Sequence, residues 1–153
     1  MSDTHDEVDR PSSVADAIDP DILRFAARVN ADYARLTGGR QLSVPEMRQV
    51  AEEVRAPWRA GGPVMHSTIE HVAQTAAGPV RLRVYDPGVE HPAPALVYLH
   101  GGGWTLFSLD THDRVMREYA ARAGVVVVGD RHGARRWRGH VSLRRITGVS
   151  VAT

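Results

Sequence analysis

The 153-residue sequence contains no cysteine and no lysine. Without cysteine there is no disulfide framework, no thiolate nucleophile and no Cys-based zinc site. Without lysine the Gly-Lys-Ser/Thr end of a P-loop cannot be built, which removes a phosphate-binding reading of Gly101-Gly102-Gly103. The start, Met-Ser-Asp-Thr-His-Asp-Glu, is acidic and lacks an apolar run, and no later stretch is long enough to span a bilayer. A soluble, cytoplasmic protein is the expectation. The length suits one domain with a sizeable core, about two-thirds of the extended surface being buried if all of it folds.

A further absence is local. After Asp130 there is no acidic residue, while Arg131, Arg135, Arg136, Arg138, Arg144 and Arg145 follow. Residues 1–130 hold 13 Arg against 18 acids, so a net charge of +1 conceals a body at −5 and an end at +6. Residues 131–153 also lack apolar periodicity. They are expected to be an Arg-rich aberrant tail, of the kind that a GC-rich gene yields when read out of frame. A second reading makes the chain a non-catalytic protein that contacts nucleic acid through the basic residues 131–145, with Trp137 stacking. It ranks lower, since a short basic tail is weak evidence. His112, His132 and His140 match no metal-ligand spacing, so no metal and no cofactor is expected.

Residues 1–18 are polar and acidic and are expected to form a disordered arm. Beyond Pro20, the residues Ile22, Leu23, Phe25, Ala26, Val29, Tyr33 and Leu36 recur at helical spacing until Gly38-Gly39 stops them. Ser43 with Glu46 makes a capping box, and Pro45 suits a first turn. The second helix should bury Val44, Met47, Val50, Ala51 and Val54 and end at Pro57. Residues 67–75 and 80–85 predict an antiparallel hairpin, with Val80, Leu82 and Val84 on a dry face and Arg81, Arg83 and Tyr85 on a wet one. Ala95 to Leu99 reads as a buried parallel strand. Asp110 is a plausible N-cap for a helix running from Thr111 to about Arg122, with Val115, Met116, Tyr119 and Ala120 inward. Gly124 ends that helix, and Val125 to Val128 form another buried strand, which completes a βαβ unit.

The chemistry concentrates in His100-Gly101-Gly102-Gly103-Trp104, directly after the strand Ala95–Leu99. Consecutive glycines let backbone N–H groups approach a ligand without an intervening Cβ. Converging N–H donors form an oxyanion hole, which stabilises the charge that develops on a carbonyl oxygen during acyl transfer. Together with Ser108-Leu109-Asp110-Thr111-His112-Asp113 and Val125 to Asp130, this stretch resembles the N-terminal part of the hormone-sensitive-lipase-like esterases of the α/β-hydrolase fold.

The resemblance implies an α/β fold: the N-terminal portion of an α/β-hydrolase sheet, an antiparallel hairpin plus one βαβ unit, with an N-terminal helical cap segment, and incomplete. Its segments would be a cap at 19–62, a partial core at 63–130 and the tail. It implies hydrolysis of small-molecule carboxylic esters, with oxyanion donors from Gly102 and Gly103 and loop support from His100, Gly101 and Trp104. Met47, Trp58 and Met65 would line the pocket. His100 braces the loop, because the triad histidine of this fold follows the nucleophile. Asp110, His112 and Asp113 are expected to serve the helix start, and Asp130 to support a strand end. The nucleophile elbow Gly-x-Ser-x-Gly is missing: Gly148-Val149-Ser150-Val151-Ala152 has Ala for the second glycine, and no acid or histidine comes after it. The 153 residues alone are therefore expected to be inactive or nearly so. In the family's sheet order the strand 95–99 neighbours the nucleophile strand, so without that strand it becomes an apolar edge prone to self-association.

Overall fold

A computed structural model describes residues 18–75 and 78–131. The chain divides between Arg40 and Gln41 into two compact units.

The first unit contains helix α1 (Pro20–Thr37). Its ends follow from the sequence. The Asp19 carboxylate accepts the Asp21 N–H at 2.7 Å, and Gly38, at φ 58°, donates its N–H to the Ala34 carbonyl. The apolar stripe is only partly used: Val29 is buried, whereas Ile22 and Leu23 are exposed.

The second unit begins with α2 (Val44–Arg59). The capping box forms, with the Ser43 N–H donating to Glu46 Oε2 at 2.8 Å. Ala51 and Val54 are buried and Met47 and Val50 half-buried, but Val44 is 51% exposed, because it is the first helical residue and stands at the end of the stripe. Pro57 does not end the helix, which runs on to Arg59. A proline near the C-terminus removes one N–H bond and leaves the last turn able to follow.

Strands β1 (Ser67–Thr75) and β2 (Gly78–Asp86) form the expected hairpin, with Ile69 opposite Val84. Strand β3 (Ala95–Tyr98) and strand β4 (Val126–Arg131) are parallel to each other, and β2 is antiparallel to β4. The sheet order is β1-β2-β4-β3. Between β3 and β4 lie a 3₁₀ turn (Asp110–His112) and helix α3 (Asp113–Ala123), closed by Gly124 at φ 62°.

Leu82, Val84, Ala93, Val126 and Val128 make one core cluster. Tyr85, Leu109, Met116, Ala120 and Val127 make the other, on the sheet face that α3 covers. The second face of β2 is wet only at Arg81, which is exposed as expected; Tyr85 is fully buried and the Arg83 side chain is 19% exposed. Alternation reports which residues share a face, but not whether a helix will lie on it. Gly129 explains how closely α3 lies. A Cβ there would stand 2.5 Å from Met116 Sδ and 2.8 Å from Leu109 Cδ2.

The start of α3 also differs from expectation. Asp110 does not cap it. Ser108 Oγ accepts the N–H groups of Asp110 and Thr111 at 3.2 and 3.4 Å, and Thr111 Oγ1 returns a bond to the Ser108 carbonyl at 2.7 Å. The Asp110 carboxylate instead receives Arg83. Tyr119, expected inward, is 48% exposed and lies beside Tyr98, with ring centroids 6.0 Å apart. Arg117 ties α3 to the segment entering β1 by donating to the carbonyls of Gly61 at 2.8 Å and Pro63 at 2.6 Å.

Strand β3 is the sheet edge, as expected from the sheet order. Among the described residues it pairs with β4 alone, and Leu96, Val97 and Leu99 are 36%, 46% and 58% exposed.

Candidate active site

The glycine loop leaves the carboxyl end of β3, the place where open α/β sheets present their ligand crevice. Its shape comes from a run of left-handed backbone angles: Gly102 at φ 120°, Gly103 at 61°, Trp104 at 56° and Phe107 at 72°. The Gly102 carbonyl accepts the N–H groups of both Thr105 and Leu106, at 3.1 and 2.9 Å, and this folds the loop back on itself.

The glycines differ in what they need. A Cβ on Gly102 would lie 2.3 Å from the Leu106 carbonyl oxygen, so the turn itself demands glycine. At Gly101 and Gly103 the Cβ position has nothing within 4 Å, which leaves space for a ligand atom to approach the backbone. Trp104 and Phe107 adopt the left-handed region without being glycine, at a cost of about 1–2 kcal/mol each. Contacts elsewhere must offset that cost.

Those contacts are visible. His100 is buried, its Nδ1 lies 2.7 Å from the Gly101 carbonyl, and its ring stacks on His112 at 5.1 Å between centroids. The His112 ring meets the edge of Phe107 at 5.7 Å and lies 6.0 Å from Tyr98. His112 thus belongs to the loop's packing as well as to the start of α3. From α2, Arg48 Nε donates to the Thr105 carbonyl at 2.7 Å, and the Arg55 guanidinium stands 5.1 Å from the Phe107 ring centre.

The other concentration of ionisable groups is a structural network. Arg83 donates to Glu70, to Asp110 at 2.8 Å and to Asp113 at 3.4 Å. Burial works against the Arg83 charge, but hydrogen bonding, that to Glu70 foremost and that to Asp110 with it, raises its pKa above the ordinary value. Asp113 also accepts the Tyr85 hydroxyl at 2.8 Å and Arg117 Nε at 2.8 Å. Burial, reinforced by Asp113, raises the Tyr85 pKa, so the phenol remains a donor. A cleft of about 230 Å³ beside the network is lined by Val72, Arg81, Arg83, Ser108 and Leu109 among others. The sequence reading missed this network, because Glu70, Arg83, Asp110 and Asp113 come together only through strand register and the packing of α3. The i,i+4 spacing of Asp113 and Arg117 was its one visible signal.

Of the anticipated site residues, Gly101, Gly102, Gly103, His100 and Trp104 lie in one loop, with Trp104 68% exposed. Met47 and Trp58 are half-buried on α2, and Met65 packs against the Tyr85 cluster. Asp130 is buried at 2% exposure near the end of β4. His132, Trp137, His140 and Ser150, with the whole anticipated tail beyond Arg131, lie outside the described residues. Among the described residues no cluster of three His, Cys, Asp or Glu side chains could hold a metal, and no helix is long and apolar enough to cross a membrane.

The four-stranded mixed sheet with α3 on one face, and a glycine loop at the end of β3, is the N-terminal portion of an α/β-hydrolase fold. Residues 96–129 match the sequence family described as alpha/beta hydrolase fold. Solved structures agree on the fold. The chain is similar to the esterase of Pyrobaculum calidifontis, at 34% identity and a TM-score of 0.55 over 65% of this chain and 33% of that one. It is also similar to EstE1, a thermostable carboxylesterase cloned from a metagenomic library, at 30% identity and a TM-score of 0.54 over 59% and 31% of the two chains. An ester hydrolase from the Lake Arreo metagenome shares the fold at 24% identity, with a TM-score of 0.59. The chain therefore spans about a third of the length of these esterases. It is similar to the N-terminal part of an α/β-hydrolase of the esterase type.

Proposed function

We propose that the loop Gly101–Gly103 is the oxyanion side of a carboxylic-ester hydrolase site, with Gly102 and Gly103 as N–H donors and His100, Gly101 and Trp104 as loop support. The observation that carries this reading is a left-handed glycine loop at the carboxyl end of a parallel strand, with open space at the Cβ positions of Gly101 and Gly103. Similarity to esterases over this region supports it. The substrate is a small carboxylic ester, and Met47, Trp58 and Met65 contribute apolar lining. A cytoplasmic setting is consistent with the absence of cysteine.

The 153 residues hold no Gly-x-Ser-x-Gly elbow. An oxyanion hole without a nucleophile retains only weak catalysis, so the chain alone is inactive or nearly so. The purified chain is tested with p-nitrophenyl butyrate: no burst of p-nitrophenol is expected, and a burst abolished by an organophosphate would sink the inactivity. The loop's role is tested separately by adding butyrate and following the Gly102 and Gly103 amide resonances. A saturable shift confined to the loop is expected, and unmoved amides would overturn the oxyanion assignment.

The edge of β3, unpaired among the described residues, gives the chain one further property. Ala95–Leu99 carries no charge and no proline, so two copies can pair their edges antiparallel without like-charge repulsion. Concentration-dependent self-association is expected in sedimentation, and a monodisperse monomer at high concentration would refute it.

A further inference from the structure

We infer that Arg48 and Arg55 of α2 are positioning residues that hold the glycine loop in its left-handed conformation and so set the direction of the Gly102 and Gly103 amides. As a device for oxyanion binding this rests on the ester-hydrolase reading; as a grip on the loop it stands independently.

The two arginines are seven residues apart, which on an α-helix places them about 20° apart around the axis, on one face two turns from each other. Both reach the second half of the loop. Arg48 Nε donates to the Thr105 carbonyl at 2.7 Å, and the Arg55 guanidinium lies 5.1 Å from the centre of the Phe107 ring. The residues they take hold of are neighbours of the strain: Trp104 precedes Thr105, and Phe107 itself sits at φ 72°.

Loop geometry links this grip to the amides. The N–H of Thr105 and that of Leu106 both bond the Gly102 carbonyl, so Thr105 cannot shift without turning the peptide that joins Gly102 to Gly103. That peptide carries the Gly103 N–H. On the other side, Phe107 lies between Arg55 and His112, and His112 stacks on buried His100, which contacts the Gly101 carbonyl. The loop is thus held from α2 at one end and from β3 at the other. A left-handed non-glycine conformation persists only where the surroundings over-determine it, and the two arginines supply that constraint from a helix far away in sequence.

Amide hydrogen exchange on the full chain, read for Thr105 and Leu106 against Val127 and Val128 in β4, tests the grip. In R48M, which keeps an apolar stem but no donor, the two loop amides should exchange about tenfold faster while β4 is unchanged. R48K, which retains a donor, should fall nearer the parent, and R55M should loosen the same amides through the Phe107 contact. Because R48M and R55M act on one loop, their double variant should show less than the product of the single effects. Loop exchange within about twofold of the parent in both single variants overturns the inference. So does acceleration shared equally by β4, since the arginines would then support the unit as a whole. A butyrate titration separates the two readings: if R48M loosens the loop but the parent's Gly102 and Gly103 amides ignore butyrate, the grip stands and the oxyanion role falls.

Discussion

Strands β3 and β4 have much the same composition, Ala-Leu-Val-Tyr against Val-Val-Val followed by Gly-Asp-Arg, and run side by side in parallel. Their environments are opposite. Val126, Val127 and Val128 are 0–1% exposed, while Leu96 and Val97 are 36% and 46% exposed. The difference lies in their neighbours. Strand β4 has β2 on one side and β3 on the other, with α3 across one face, whereas β3 has, among the described residues, only β4. Apolar composition states a preference for burial, and topology decides which strand obtains it.

The largest expected effect comes from putting a charge into the buried member. Val127→Asp should cost about 4 kcal/mol or more and abolish cooperative urea unfolding, because an unpaired carboxylate would sit between the sheet and α3. A variant that still unfolds cooperatively near the parent midpoint would deny that β4 is the centre of the core. Removing the α3 side of the same contact by Met116→Ala should cost about 3 kcal/mol, since Met116 is fully buried against Tyr85 and Val127. Its measure is the shift in denaturation midpoint at constant slope.

Tyr85→Phe keeps the ring and deletes the hydroxyl that donates to Asp113 at 2.8 Å. It should cost about 1 kcal/mol, and no change would mean that Arg83 and Arg117 satisfy Asp113 without it. A pH effect is next. Burial tends to raise the Asp86 pKa, but the hydrogen bond from His91 and the N–H groups of Gly88 and Val89 outweigh it, and the net shift is downward. The unfolded chain then takes up the proton first as the pH falls. The stabilisation is full above the ordinary carboxylate value of 3.8 and is lost as the pH drops through the lower folded value. Asp86→Asn should flatten this part of the acid unfolding curve, and an unaltered curve would exclude Asp86 as its source.

The smallest effect on stability belongs to β3. Val97→Lys should change the unfolding free energy by no more than about 0.5 kcal/mol, yet shift sedimentation towards monomer. If instead it destabilises as Met116→Ala does, the edge is covered in solution.

Several features were legible in the residues themselves. Ser43 and Glu46 foretold the capping box, Gly38 and Gly124 the helix ends, and the glycine triplet the loop. Each rests on contacts within a few residues. The failures share the opposite property. Asp110 stands where a cap belongs, just before a helix, but Ser108 takes the bonds to the turn N–H groups, and Arg83 from a strand 27 residues away claims the Asp110 carboxylate. Arg48 and Arg55 carry no local signal, because their contacts with Thr105 and Phe107 cross about fifty residues of chain.

The sequence by itself determined the helices and strands, the Ser43–Glu46 capping box, the glycine helix ends, the hairpin and the presence of a glycine loop, because local backbone preferences and short-range hydrogen bonds specify these. Tertiary structure alone decided that Arg83 and Tyr85 are covered while Arg81 on the same face of β2 stays exposed, and that α2 grips the loop. Those outcomes depend on register and on which surface each helix covers, and the chain settles them only when its distant segments meet.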